Sequence, residues 1–173
     1  YTHIQRAMPS SWGLWFASFA ESFIDNIDLI IKTIDWIDSN PLGTAAGYGV
    51  ALPLDRKKTT KDLGFNRIQI NSLYAQNSRG KYEMQIINTL KQPMLDLRKF
   101  AWDMSLFLSL EFNLLSIDNK YSTGSSIMPN KSNPDVIEII RANYSILAGL
   151  SSELENLLSC LLYTSPSPRD LQG

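Results

Sequence analysis

The sequence predicts an all-α fold, a bundle of long helices. Three observations carry this. Three long segments place apolar residues at spacings of three and four, the period of a helix with one buried face. No stretch shows the strict apolar–polar alternation of a half-buried strand. The segments that interrupt the helical pattern are a Gly-rich crossing and a Gly-Ser-Ser loop, whose glycine side is expected to be mobile.

The first helix opens at Pro9-Ser10-Ser11, where either serine can cap it. Phe16, Phe19, Phe23, Ile27, Ile30, Ile34 and Ile37 then form an apolar stripe, and Pro41 forces a stop. Residues 41–55 hold three glycines and two prolines, which excludes a regular helix there. A short helix over 55–63 ends at Gly64.

The helical period returns from about residue 66 to 112, with Ile86, Leu90, Met94, Leu97, Ala101, Met104 and Leu108 on one face. Pro93 lies inside this run and predicts a kink or break. The last helix is expected to start at Pro134, with Asn133 as N-cap and with Asp135 and Glu138 favoured by the N-terminal dipole. Ile140, Asn143, Leu147, Leu150, Leu154, Leu157 and Leu161 alternate three and four, a seam suited to bundle packing. The Pro/Ser-rich tail, residues 163–173, breaks the pattern. Such helices leave apolar surface bare when alone, so self-association is expected.

Composition narrows the function. The chain has 173 residues, 44% of them hydrophobic and 19% charged, as in ordinary globular domains. A net charge of −1 gives no footprint for nucleic acid or for an anionic membrane surface. No apolar run has the length of a membrane span. One cysteine, Cys160, cannot close an internal disulfide, which favours a reducing, cytoplasmic setting. His3 is the only histidine and no cysteine pair accompanies it, so neither a metal nor another cofactor is expected. The glycines at 43–49 precede no Gly-Lys-Ser/Thr, and no Gly-x-Ser-x-Gly elbow occurs.

Two motifs carry chemistry. The first is Thr2-His3-Ile4-Gln5-Arg6-Ala7-Met8-Pro9. The second is Gly124-Ser125-Ser126-Ile127-Met128-Pro129-Asn130-Lys131-Ser132-Asn133-Pro134. The second offers a hydroxyl at Ser125 or Ser126, a fixed positive charge at Lys131 and an amide at Asn133. These are groups for holding and deprotonating an anionic substrate.

Together the two motifs resemble the fumarase/aspartase superfamily of fumarate-releasing lyases. Tyr1, Arg6, Trp12 with Trp15, and the run from Asn40-Pro41-Leu42-Gly43 to Asp55-Arg56 resemble its argininosuccinate lyase branch. The resemblance covers roughly residues 1–160 and implies a long-helix bundle of that superfamily type. Residues 1–162 then read as an internal fragment of the central helical lyase domain, and 163–173 as a tail that is not native to it. The implied reaction is β-elimination of argininosuccinate to arginine and fumarate, a step of arginine biosynthesis. The alternatives are adenylosuccinate lyase, fumarase, or a non-catalytic structural relative.

The resemblance also implies roles. Ser125 matches the base that removes the Cβ proton, and Lys131 the group that stabilises the carboxylate, with Asn133 beside it. His3 matches the histidine of acid chemistry or charge stabilisation, and Glu138 its carboxylate partner. Thr2 and Gln5 match substrate-contacting positions, and Ser126 is a substrate-binding or loop-anchoring residue. Arg56, Tyr74 and Arg79 are open between site and packing roles. The implied partners are argininosuccinate as the small-molecule substrate and three further copies, a homotetramer with active sites shared between subunits.

Overall fold

The computed structural model describes residues 1–160. Leu161 and the 163–173 tail lie outside the described residues. Three long helices dominate: α1 (Trp12–Ile37), α4 (Lys81–Phe107) and α5 (Asp135–Cys160). Between them lie the short helices α2 (Arg56–Asp62) and α3 (Ser72–Asn77) and a 3-10 turn at Asn119–Tyr121. Four two-residue strands form two ribbons. β1 (Ser39–Asn40) pairs parallel with β2 (Arg67–Ile68), and β3 (Thr123–Gly124) antiparallel with β4 (Ser132–Asn133).

The chain divides into two compact units. The first comprises Tyr1–Asp28 and Lys91–Ile146. Its α1 segment begins at a serine cap: Ser11 Oγ accepts the N–H of Leu14 at 3.1 Å, and the Ser11 carbonyl accepts that of Trp15 at 3.2 Å. Trp15 centres an aromatic core, stacked on Phe100 at 5.2 Å with Phe19 and Phe107 edge-on. The Trp15 indole donates to Asp103 at 2.8 Å, while Ser22 and Asn26 donate to Asp96. Rising numbers on α1 meet falling numbers on α4, so the two segments run antiparallel here.

The second unit comprises Leu29–Leu90 and Leu147–Gly173, of which 147–160 are described. Asn40 is fully buried. It donates to Thr60 Oγ1 and accepts from the Leu42 N–H, which starts the Gly-rich crossing. Arg56 braces that crossing. Its Nε reaches the Leu42 carbonyl at 2.8 Å and its Nη2 the Gln69 carbonyl at 2.7 Å, so its side chain has a packing role in this unit. Asp55 caps α2 by accepting the Lys58 N–H. Gly64, at φ 78°, ends it as a Schellman motif, with Gly64 N–H on the Lys61 carbonyl and Phe65 N–H on Thr60.

Several expectations need correction. Residues 66–112 are not one helical run: β2, α3 and α4 divide it, and Gly80 at φ 83° separates the two helices. Pro93 does not break α4, which continues through it. The Thr89 carbonyl loses its usual partner there, but the buried Thr89 bonds Thr33 at 2.9 Å before the proline, and Asp96 accepts from Ser22 and Asn26 after it, so packing holds the helix on either side. Asn133 does not cap α5. It belongs to β4, and the Pro134 carbonyl takes the N–H of Glu138 at 3.2 Å, which moves the cap one residue on.

The apolar stripes are only half used within the chain. Ile27 and Ile34 on α1, and Leu150 and Leu157 on α5, are all more than half exposed. Buried α5 positions such as Ile137 and Ser151 lie beside the expected seam rather than on it.

Candidate active site

Both motifs fall in the first unit. Thr2 and Gln5 form an isolated antiparallel bridge, with Thr2 N–H on the Gln5 carbonyl at 3.0 Å and Gln5 N–H on the Thr2 carbonyl at 2.8 Å. The two residues between them have positive φ, 51° at His3 and 62° at Ile4. That is the geometry of a type I′ turn, normally built from Asn and Gly. A β-branched residue in this region is strained, at a cost of about 1–3 kcal/mol. The turn thus projects His3 from a tightly held backbone. His3 is exposed and helps line a cavity of about 530 Å³ with Tyr1, Trp12, Trp15, Asp103 and Phe112.

The second motif is a hairpin. Thr123 faces Asn133 and Gly124 faces Ser132 across β3 and β4, so the ribbon closes a loop over residues 125–131. Ser125 stands at its start, half-buried, and its Oγ accepts two backbone N–H groups, Ile127 at 3.3 Å and Met128 at 3.1 Å. The Lys131 N–H closes a turn onto the Met128 carbonyl at 3.1 Å. Donors aimed at a hydroxyl oxygen favour its deprotonated form. The Thr123 hydroxyl donates to Asp135 in the first turn of α5, tying hairpin to helix. Glu138 follows on the same helix and is exposed.

The chain therefore gathers Ser125, Ser126, Lys131 and Asn133 in one hairpin, with Glu138 on the helix that follows it. Thr2, His3 and Gln5 sit together in the other turn. Among the described residues, no hydrogen bond or ion pair joins His3, Ser125, Lys131 or Glu138 to another of the four.

Sequence reasoning missed the anchors of this site. Arg141, three residues after Glu138, lays its guanidinium on the Trp102 ring at 3.5 Å and donates to Ser105 Oγ at 3.3 Å, fixing the start of α5 to α4. The i+3 spacing of Arg141 from Glu138 was visible, but its aromatic partner lies on another helix.

The chain matches the family model described as Lyase over residues 1–148. It is 56% identical over all 173 residues to an argininosuccinate lyase of Xanthomonas oryzae pv. oryzae (strain PXO99A), and spans 39% of that protein's length. It is 55% identical, with the same coverage, to the argininosuccinate lyase of Stenotrophomonas maltophilia (strain R551-3). Among solved structures, EDDS lyase in complex with formate superposes with a TM-score of 0.89 at 26% identity, over 94% of this chain and 33% of that one. A variant of EDDS lyase with bound fumarate matches equally well. The curated relatives are thus more than twice as long as this chain. With its motifs, its all-helical frame and this match in hand, the chain belongs to the lyase family, within the fumarase/aspartase superfamily.

Proposed function

We propose that the full-length protein is an argininosuccinate lyase, which eliminates arginine from argininosuccinate to release fumarate. The observation that carries this reading is the Ser125 hairpin, in which two backbone N–H groups converge on the hydroxyl oxygen. The names of the relatives at 55–56% identity support the choice of substrate.

The chemical problem is a weakly acidic Cβ proton beside a carboxylate, whose removal builds a second negative charge. Ser125 takes that proton, and the amides of Ile127 and Met128 stabilise the alkoxide form it needs. Lys131 and Asn133 hold the charge that develops on the carboxylate. His3, with Glu138 as its carboxylate partner, serves the leaving nitrogen or the charge beside it. Thr2 and Gln5 contact substrate, and Ser126 binds substrate or anchors the loop.

The active protein is a homotetramer that shares its sites between subunits. Two features support this: the exposed apolar positions of α1 and α5, and the lack of any bond between His3 and Glu138 within one chain. Residues 1–162 act as part of a central helical domain. No helix among the described residues is long and apolar enough to cross a membrane, and the same reading locates the enzyme in the cytoplasm.

The test is an assay of full-length protein for fumarate release from argininosuccinate and from adenylosuccinate, with hydration of fumarate measured alongside. Release from argininosuccinate alone is expected. Turnover of either other substrate without it would replace this reading.

A further inference from the structure

The second unit carries a cluster that the lyase chemistry does not use. Lys81, at the start of α4, directs its Nζ to the Tyr74 hydroxyl at 3.4 Å and lies 5.5 Å from the ring centroids of both Tyr74 and Trp36. The Tyr74 and Tyr82 hydroxyls are 3.3 Å apart. Arg67 donates to the Trp36 carbonyl at 2.6 Å. Gln69 donates to the Tyr82 oxygen at 3.2 Å, so the phenol's own proton is left for another acceptor.

Two features set this patch apart from a packing network. Neither Lys81 nor Arg67 forms an ion pair among the described residues, so two positive charges stand without a carboxylate. Burial opposes ionisation of the Tyr82 phenol. Hydrogen bonds with Tyr74, Ser39 and Arg67, and the Arg67 charge, outweigh burial and hold the phenol below its ordinary value. The surroundings thus favour negative charge at the Tyr82 oxygen. The cluster is also accessible: Lys81 and Arg67 are exposed, and Tyr74 and Trp36 are each more than a third exposed.

We propose that Arg67, Tyr74, Lys81 and Tyr82 form a binding site for a small oxyanion, the carboxylate or phosphate head of a soluble ligand. The two cations supply charge and, with one phenol proton spent on the Tyr74–Tyr82 bond, the other supplies a directed donor, while the aromatic rings shield one side from water. This site is separate from the Ser125 hairpin and does not depend on the reaction assigned there.

The experiment is calorimetric titration of the full-length protein with inorganic phosphate and, separately, with succinate. Each titration is repeated in a Lys131→Met background, which removes anion binding at the hairpin. Saturable binding of at least one anion is expected to persist in that background. Adding Lys81→Met or Arg67→Met weakens it about tenfold or more, while Lys81→Arg retains it. The anion that binds identifies the head group. If Lys81→Met fails to fold, Tyr82→Phe decides: weaker binding supports the site, and parental binding overturns it. Absence of saturable binding in the Lys131→Met background, or binding unmoved by both Lys81→Met and Arg67→Met, also overturns it.

Discussion

Asn26 donates to the Asp96 carboxylate at 2.9 Å, and Ser22 donates to the same oxygen. The Asp96 side chain is only 14% exposed, and Lys99 bonds its other oxygen at 3.1 Å. Burial alone would raise its pKa. The bonds from Ser22, Asn26 and Lys99, with the Lys99 charge, outweigh burial and hold it below the usual carboxylate value. A depressed folded pKa contributes stability that is present above the unfolded value, near 3.9, and is lost as pH falls through the folded one. Asp96→Asn should therefore cost about 1–2 kcal/mol at neutral pH. The gap from the parent should narrow as pH drops below about 4. Thermal melts of full-length protein across that range check this.

Ser11 caps α1 through its side chain. Ser11→Ala should cost about 1 kcal/mol, while Ser11→Asp, also a good cap, restores most of it. Ser10→Ala is the control and should change little, since α1 opens at Trp12 immediately after Ser11.

Gly64 and Gly80 both sit at positive φ, 78° and 83°, but in different surroundings. A Cβ at Gly64 meets nothing within 4 Å, so alanine there costs only the left-handed backbone, about 1–2 kcal/mol. At Gly80 the Cβ would fall 2.0 Å from Leu158 Cδ2, so the same change also displaces a side chain of α5. Gly80→Ala should lower the melting temperature clearly more than Gly64→Ala does.

Much of this frame was legible in the residues. The Ser11 cap and the Gly64 stop follow from local chemistry acting over three or four positions, and the long helices from the apolar period. What escaped depends on partners distant in sequence. Asp96 looks like one more surface acid until Ser22 and Asn26 approach it from α1. Pro93 looks like a break until Thr33 is seen to hold Thr89 before it, and Ser22 and Asn26 to hold Asp96 after it. The bare apolar stripe through Ile27 and Ile34 is, by contrast, what was expected of such helices in a lone chain.

The candidate site was legible as an inventory and not as geometry. Its residues were named from the two motifs and, for Glu138 beyond them, from the family resemblance. The strained Thr2–Gln5 turn was not foreseen, because His3 and Ile4 are poor choices for positive φ. Nor was the pair of amides on Ser125, which depends on how the 125–131 loop folds back on itself.

The claim that matters most is that Ser125 removes the Cβ proton. The direct measurement is the steady-state kinetics of full-length Ser125→Ala with argininosuccinate, with Ser126→Ala alongside. The predicted result is a fall in kcat of roughly 10²–10⁴ for Ser125→Ala, with KM little changed and the melting temperature close to the parent's. Ser126→Ala should lose far less. A Ser125→Ala protein that releases fumarate at the parental kcat would contradict the account.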